Sequence, residues 1–113
     1  MAKVIVIDRL KEEIYKKFKA TSVEIFELLD SLENNPNKGK PLGNVGSIII
    51  KELKYENYRF YFITDGFTLK VMDKEELNKL IITFVRMSDK KSQQKTIDEI
   101  KDILRKLGEQ GFE

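Results

Sequence analysis

Two groups of lysine and arginine side chains lie in parts of the sequence that are not predicted to be helical. Residues 50–61 are predicted to form a two-stranded β-hairpin, and they carry three cations, Lys51, Lys54 and Arg59. A second group follows the next strong strand and consists of Arg86, Lys90, Lys91 and Lys95. Because the chain has no histidine and no cysteine, any phosphate chemistry here depends on lysine, arginine and tyrosine.

The length and composition predict a single domain that covers residues 1–113. A chain of this length buries roughly two thirds of its unfolded surface in one core, so it needs neither a disulfide nor a metal to fold. Without cysteine there is no thiol nucleophile, and without histidine the commonest general base and metal ligand is missing. We therefore expect no zinc site, no other metal and no cofactor.

The sequence lacks recognisable targeting signals. Its first residues do not combine the cationic region, apolar run and cleavage site of a signal peptide, and no apolar run approaches the roughly 20 residues that span a bilayer. These features predict a cytoplasmic protein with no membrane partner. The net charge of +2 is too small to indicate nucleic acid by itself. The excess positive charge is concentrated in residues 3–19 and in the predicted strands.

The first half of the chain is predicted to contain one strand, two helices and a loop. A β-branched run at residues 4–7 ends at Asp8, a good N-cap for the first helix. The second helix begins at Thr21, which has the spacing of a capping box with Glu24. The connection between the helices is short and predicts a helical hairpin. Residues 37–46 are rich in glycine and predict a loop.

The second half is predicted to contain strands and a final helix. Two strands, at residues 47–55 and 58–64, are joined by a tight turn at Glu56-Asn57. Asp65-Gly66 marks a second turn. The remaining segments are predicted as a short strand at 67–72, a charged excursion at 73–79, a strand at 80–85, and a helix that starts with a capping box at Thr96 and Glu99 and ends near Gly108.

These elements predict an α+β domain. Its core is a small, mostly antiparallel sheet with an N-terminal helical hairpin and a C-terminal helix packed on one face. Side chains alternate along a strand, so Arg59 and Tyr61 should point outward if Phe60 and Phe62 face the helices. Lys51 and Lys54 have opposite parity, and a two-residue turn places Lys54 opposite Arg59. We therefore predict that Lys54, rather than Lys51, shares a face with Arg59.

A lysine across from an arginine has two explanations. Like charges that face each other across strands are destabilising, so an anion could be held between the two side chains. Alternatively, the long cationic side chains extend into water or reach Glu52, Glu56 or Asp89, as on many lysine-rich surface strands. The lysines at positions 90, 91 and 95 could likewise form a solvated approach to the last helix. Two cationic groups on one sheet face would favour phosphate binding.

Short motifs along nearly the whole chain resemble one known family. In chain order they are Lys40-Pro41-Leu42, Ile50-Lys51-Glu52-Leu53-Lys54, Tyr58-Arg59-Phe60-Tyr61-Phe62, Asp65-Gly66, Phe84-Val85, Lys90-Lys91-Ser92-Gln93 and Glu99-Ile100. This pattern resembles the RelE/ParE toxin superfamily, most of all its HigB-like and phage-derived branch. Residues 67–79 look like an insertion relative to the family, and the C-terminal tyrosine or histidine that some members use as an acid is absent.

The resemblance implies a RelE-like fold and a toxin of a type II toxin-antitoxin pair. Most such toxins are endoribonucleases (mRNA interferases) that enter the ribosomal A site and cut mRNA without a metal. The 2′-hydroxyl of the RNA attacks the adjacent phosphate and leaves a cyclic phosphate and a 5′-hydroxyl. By matching position, Lys54 and Arg59 would stabilise the charge of the phosphorane.

The resemblance also implies supporting roles for the other cations. A lysine crowded by other cations loses its proton more easily, so Lys91 or Lys51 could deprotonate the 2′-hydroxyl. Tyr61 is the obvious substitute for the missing acid. Arg86, Lys90 and Lys95 would bind RNA phosphates.

The resemblance is also compatible with two other functions. One is a ParE-like toxin that inhibits gyrase by protein contact and has no nuclease activity. The other is a non-catalytic RNA-binding relative. Every toxin interpretation implies a cognate antitoxin, an acidic protein that covers the cationic sheet and the helical hairpin. The partners expected for the nuclease are this antitoxin, mRNA and the ribosome, with no direct contact to DNA.

Overall fold

The computed structural model describes residues 2–71, 75 and 78–112. The strands are β1 (Lys3–Val6), β2 (Lys40–Val45), β3 (Ile48–Tyr55), β4 (Tyr58–Asp65) and β5 (Ile81–Asp89). The α-helices include α1 (Asp8–Phe18), α2 (Ser22–Asp30), α3 (Gly66–Val71) and α4 (Gln93–Leu107). Short 3₁₀ turns cover Lys19–Thr21, Ser31–Glu33 and Glu109–Phe112.

The five strands form one mixed sheet in the order β1-β5-β4-β3-β2. Strand β1 runs parallel to β5, and the other three pairs are antiparallel. The predicted turn at Glu56-Asn57 joins β3 to β4, and Glu56 adopts a positive φ of 53° there. The prediction of an α+β domain with a mostly antiparallel sheet is therefore confirmed.

Helices cover both faces of the sheet, so the prediction that they pack on one face is wrong. Helices α1 and α2 pack on the face that presents Phe60, Phe62 and Phe84. Helix α4 packs on the opposite face through Ile97, Ile100 and Leu104, which contact a cluster that includes Ile50, Tyr61, Ile63 and Val85. The reason lies in β4, where residues 60–64 are all buried. A strand whose consecutive side chains are apolar must be covered on both faces.

The structure also corrects several element boundaries. Residues 40–45 of the predicted loop form β2, which pairs with β3 through an irregularity between Pro41 and Gly43. Proline is tolerated there because β2 lies at the edge of the sheet. Residues 66–71, predicted as a turn and a strand, form α3. Strand β5 extends to Asp89 rather than ending at residue 85.

The predicted capping residues are displaced by neighbouring structure. Ile7 occupies the N-cap of α1, and Asp8 lies in its first turn. A 3₁₀ turn leads straight into α2, and Thr21 makes no side-chain cap. Helix α4 begins at Gln93, so Thr96 lies inside it and its hydroxyl donates to the Ser92 carbonyl at 3.0 Å. Gly108 does end α4, with φ of 68° and its N–H donating to the Leu104 carbonyl.

Two predictions fall wholly or partly outside the described residues. These are most of the charged excursion at residues 73–79 and the last residue of the strand predicted at 67–72. Within the described part of the chain, no helix combines the length and the apolar character that crossing a membrane requires.

Candidate active site

The sheet brings six polar side chains together on the face that α4 covers. They lie in two neighbouring rows across β3, β4 and β5. Lys54, Arg59 and Ser88 form one row, and Glu52, Tyr61 and Arg86 form the other. We call these six residues the polar patch. The polar patch faces α4, because Glu52 contacts Gln93 and Arg86 contacts Glu99, and both partners lie on that helix.

Lys54 lies directly opposite Arg59, as the two-residue turn predicts. Lys54 is exposed, whereas only 8 % of Arg59 is accessible. Solvent therefore reaches the lysine end of this row, and the guanidinium lies deeper, under the start of α4. The predicted register is confirmed, but the prediction that Arg59 points outward is wrong because α4 covers that face.

Glu52 balances the charge of Arg59 inside the polar patch. Its Oε1 atom lies 4.0 Å from Nε of Arg59, and its Oε2 atom accepts a hydrogen bond of 3.0 Å from Nε2 of Gln93. Nη1 of Arg59 donates to the Tyr58 carbonyl at 3.1 Å. Both Glu52 and Arg59 are buried. Arg59 thus reaches an acid on the neighbouring strand, beside the cationic pair.

Tyr61 is fully buried in the centre of the patch, so the prediction that it faces outward is wrong. The Ser88 hydroxyl donates to the Asp89 carbonyl at 2.9 Å. Because that hydroxyl has one proton, Tyr61 donates its own proton to Ser88 Oγ at 2.7 Å. Burial raises the pKa of Tyr61, although the neighbouring Ser88 and Arg59 lower it. The phenol therefore supports Ser88 rather than facing solvent.

Replacing Tyr61 with phenylalanine should change how stability depends on pH. The raised pKa of Tyr61 in the folded protein means that its stabilising contribution is complete below the unfolded pKa of about 10 and is lost as the pH rises above it. We expect Tyr61→Phe to cost about 1 kcal/mol at neutral pH through the lost hydrogen bond. Above pH about 10 the variant should lose stability less steeply than the native chain.

Denaturant unfolding at several pH values would measure both effects of Tyr61→Phe. Tyr15→Phe is the matched control, because Tyr15 is 57 % exposed. An equally steep alkaline loss in Tyr61→Phe and the native chain would contradict the assignment.

Arg86 is buried and held by contacts on the side of Tyr61 away from Glu52. Its Nε donates to Glu99 Oε1 at 2.7 Å, and its Nη1 donates to the Val85 carbonyl at 2.7 Å. The guanidinium also lies 5.2 Å from the centre of the Phe112 ring. Arg86 therefore does not join the exposed lysines as predicted.

The predicted lysines lie at the end of β5 and the start of α4. Lys90, Lys91 and Lys95 are all exposed. The turn that carries the first two is closed by Asp89, whose Oδ1 accepts a 2.8 Å hydrogen bond from the Ser92 N–H. This hydrogen bond is the main cause that lowers the pKa of Asp89. The turn holds Lys90 and Lys91 beyond the row of Lys54, Arg59 and Ser88.

Lys51 does not belong to this site. It lies on the face of β3 opposite to Lys54, and its Nζ donates to the Asn37 carbonyl at 3.1 Å. Burial lowers its pKa, since the side chain is only 4 % accessible. The prediction that Lys51 is a base at the cationic pair is therefore wrong. Side chains alternate along β3, and this alternation places Lys51 on the other face of the sheet.

Sequence reasoning missed most of the partners in this site. The side chains that hold the arginines are Glu52 and Glu99, and those that complete the network are Ser88 and Gln93. From the sequence, Glu52 was predicted only as one of three acids that the long cationic side chains could reach. Glu52 and Lys54 are two residues apart on β3, so their side chains point to the same face of the sheet. This spacing is the signal that could have placed Glu52 beside Arg59.

The site combines an exposed cationic rim with a buried acid–arginine pair. Lysines at the rim attract anions, and an arginine stabilises developing negative charge. A carboxylate can accept a proton from a hydroxyl. Among the described residues there is no group of three or more side chains that could hold a metal ion.

The fold and the patch together define an α+β protein with a polar layer between its sheet and its last helix. Comparisons with protein-family models, curated proteins and solved structures found no match for the chain.

Proposed function

We propose that this protein is a RelE-like toxin of a toxin-antitoxin pair that cleaves mRNA at the ribosome by attack of the RNA 2′-hydroxyl. The main support is the position of Lys54 directly across from Arg59, with the Glu52 carboxylate in contact with the arginine. These groups can bind a phosphate, stabilise its extra charge and accept a proton. The reaction needs these three functions and a proton for the leaving 5′-oxygen, which water can supply.

Lys54 is the first contact for the RNA, because it is the exposed member of its row. Lys90, Lys91 and Lys95 extend the cationic rim and bind neighbouring phosphates. Arg59 stabilises the phosphorane, a contribution that is typically the largest in such reactions. Tyr61 and Ser88 position the row rather than touch the substrate.

Glu52 is the proton acceptor in this mechanism. It lies in the patch, whereas Lys51 lies on the other face of the sheet. It takes the proton of the 2′-hydroxyl. The 2′-oxygen then bonds to phosphorus and closes the cyclic phosphate while the bond from phosphorus to the 5′-oxygen breaks. The 5′-oxygen takes a proton from water at the exposed rim and leaves as a hydroxyl. Lys91 is the alternative acceptor, since it is exposed at the rim.

We include the ribosome in the proposed mechanism because Arg59 is buried in the free protein. Gln93 covers Glu52 from the first turn of α4, so free RNA finds little of the acid–arginine pair accessible. A ribosome that positions the message against the rim would supply the orientation that the free protein lacks. The cognate antitoxin would be an acidic protein that covers the same rim.

The proposal is tested by adding the protein to translating ribosomes and mapping the ends of the mRNA. We expect cuts at defined positions that carry 5′-hydroxyl ends. Arg59→Ala should abolish them, because the charge of the phosphorane is then unopposed. Lys51→Met, a change on the opposite face of β3, should leave them intact.

Circular dichroism and thermal melting would show whether Arg59→Ala is folded under the assay conditions. Intact mRNA at high concentrations of the folded native protein would end the nuclease proposal.

A second candidate is a toxin of the same class that inhibits gyrase by protein contact. The observation in its favour is the burial of Arg59, Tyr61 and Arg86, which leaves mainly lysines exposed. This version predicts growth arrest with DNA damage and intact mRNA. Growth arrest that persists in Glu52→Gln and Arg59→Ala would favour it over the nuclease.

A further inference from the structure

Strand β1 forms one edge of the sheet, with β5 on its inner side. Its backbone is hydrogen-bonded to β5 through odd-numbered residues, since Lys3 N–H donates to Leu80 and Ile7 N–H donates to Phe84. Alternation along the strand then turns the N–H and C=O groups of Val4 and Val6 outward. The start of this edge is covered, because Ala2 N–H donates to the Glu33 carbonyl at 3.1 Å. The open part is centred on Ile5.

The two edges of the sheet differ in how they are protected. The other edge, β2, carries Pro41 and an irregular register before Gly43, features that prevent pairing with another chain. In β1 the residues after Lys3 are Val-Ile-Val, which contain no proline, glycine or charge. An apolar edge without such protection is a template for another strand.

Grooves lie on both sides of the β1 edge. One of about 490 Å³ is lined by β1 together with Tyr15 and Phe26, whose ring centres are 5.2 Å apart. Tyr15 is 57 % exposed. A second groove, of about 540 Å³, follows the junction of β1 with α1. Among the described apolar residues of β1, Ile5 packs against neither buried cluster.

We propose that this edge is the interface with a second copy of the chain, which adds its own β1 antiparallel to form a continuous ten-stranded sheet. A two-fold axis through Ile5 pairs Val4 of one copy with Val6 of the other, so each pair exchanges two backbone hydrogen bonds. Shifting the register towards Ala2 would use an N–H that already donates to Glu33. The register centred on Ile5 uses the groups that are open.

Charge complementarity identifies the occupant as another copy. The strand begins with exposed Lys3 and is followed by exposed Asp8, so antiparallel pairing brings Lys3 of each copy beside Asp8 of the other. The groove beside Tyr15 also contains charges of both signs, Lys11 and Asp30. A uniformly acidic partner would be repelled by Asp8 at one end of the strand, and a uniformly basic partner would be repelled by Lys3 at the other end. A second copy presents the opposite charge at both ends.

The test is sedimentation of the native chain and two charge reversals over a range of concentrations. The native chain should form dimers. Lys3→Glu and Asp8→Lys should each weaken the dimer at least about tenfold, because each places like charges together at both ends of the strand pair. An equimolar mixture of the two variants should restore dimers. In the mixed dimer the two introduced side chains, a glutamate and a lysine, lie beside each other at one end, and the native Lys3 lies beside the native Asp8 at the other.

Lys40→Glu, the same charge reversal on the opposite edge strand, is the control and should leave the dimer unchanged. Thermal melting would show that each variant is folded. A native chain that stays monomeric at every concentration overturns the proposal and leaves the edge to a strand of a different protein. Dimers that resist both reversals, or variants that the mixture fails to rescue, also overturn it.

Discussion

Glu52→Gln is expected to slow mRNA cleavage by at least about 100-fold while RNA binding is retained, because a general base contributes about 10² to 10⁴ to such reactions. The substitution keeps the shape of the side chain and its contact with Gln93, and it removes the ability to take a proton. It also removes a negative charge beside Arg59. Binding of the RNA phosphate should therefore be unchanged or stronger.

The measurement needs a binding readout beside the cleavage readout. Single-turnover cleavage on programmed ribosomes gives the rate, and retention of an RNA whose 2′-hydroxyl at the cut site is replaced by hydrogen gives the binding. Glu99→Gln is the matched control, because Glu99 also pairs with an arginine on this face but lies on α4. We expect its cleavage rate to stay within about threefold of the native rate, since it contacts Arg86 rather than the cationic pair.

A normal cleavage rate in Glu52→Gln would exclude the carboxylate as the proton acceptor. Lys91→Met would then test the alternative, because Lys91 is the lysine predicted for that role at the exposed rim. Loss of binding together with cleavage in Glu52→Gln would show instead that Glu52 holds the shape of the site. Thermal melting separates that result from unfolding, since Arg59 loses a charged partner in this variant.

The register of the cationic pair could be predicted from the sequence because it depends on local chemistry. A two-residue turn at Glu56-Asn57 fixes which residues of β3 and β4 face each other, and the structure has Lys54 opposite Arg59. The side-chain period of a strand then places Lys51 on the other face. Neither inference needs knowledge of the rest of the fold.

The environment of that pair could not be predicted, because it depends on distant parts of the chain. The predicted outward direction of Arg59 and Tyr61 depends on helices that cover a single face, and α4 covers the second one. The apolar run from Phe60 to Ile63 indicates a strand buried on both faces, but it does not identify the covering element.

A register shift between β4 and β5 is a second feature that the sequence could not predict. Tyr61 pairs with Arg86 and Phe62 with Phe84, so Val85 is an extra residue on β5. A bulge of this kind changes which side chains share a face, and it brings Arg86 and Ser88 beside Tyr61. Parity counted along β5 from the sequence alone would not include that change.

Gly39→Ala is expected to lower the free energy of unfolding by about 3 kcal/mol, the sum of backbone strain and overpacking. Gly39 has φ of 109°, which side chains rarely adopt. A Cβ atom there would lie 2.8 Å from Cζ of Phe62 and 3.2 Å from the Glu52 carbonyl oxygen. Phe62 is fully buried against α1 and α2, so its ring cannot move aside.

Gly46→Ala separates the two causes of that loss. Gly46 also has a positive φ, of 59°, but a Cβ atom there would meet nothing within 4 Å. We expect it to cost about 1 kcal/mol from backbone conformation alone. Chemical denaturation of both variants measures the difference. Equal losses would mean that the close approach of Gly39 to Phe62 does not limit the packing.

A double-mutant cycle with Phe62→Leu tests the contact directly. Leucine lacks the Cζ and Cε1 atoms that the new methyl group would strike, at 2.8 and 3.0 Å. Phe62→Leu alone should destabilise the core, but Gly39→Ala should cost less in its presence, by about 1 kcal/mol or more. Strict additivity would assign the whole loss to the backbone. A positive coupling would show that the segment before β2 is held by contact with the core beneath β3 and β4, the two strands that carry Lys54 and Arg59.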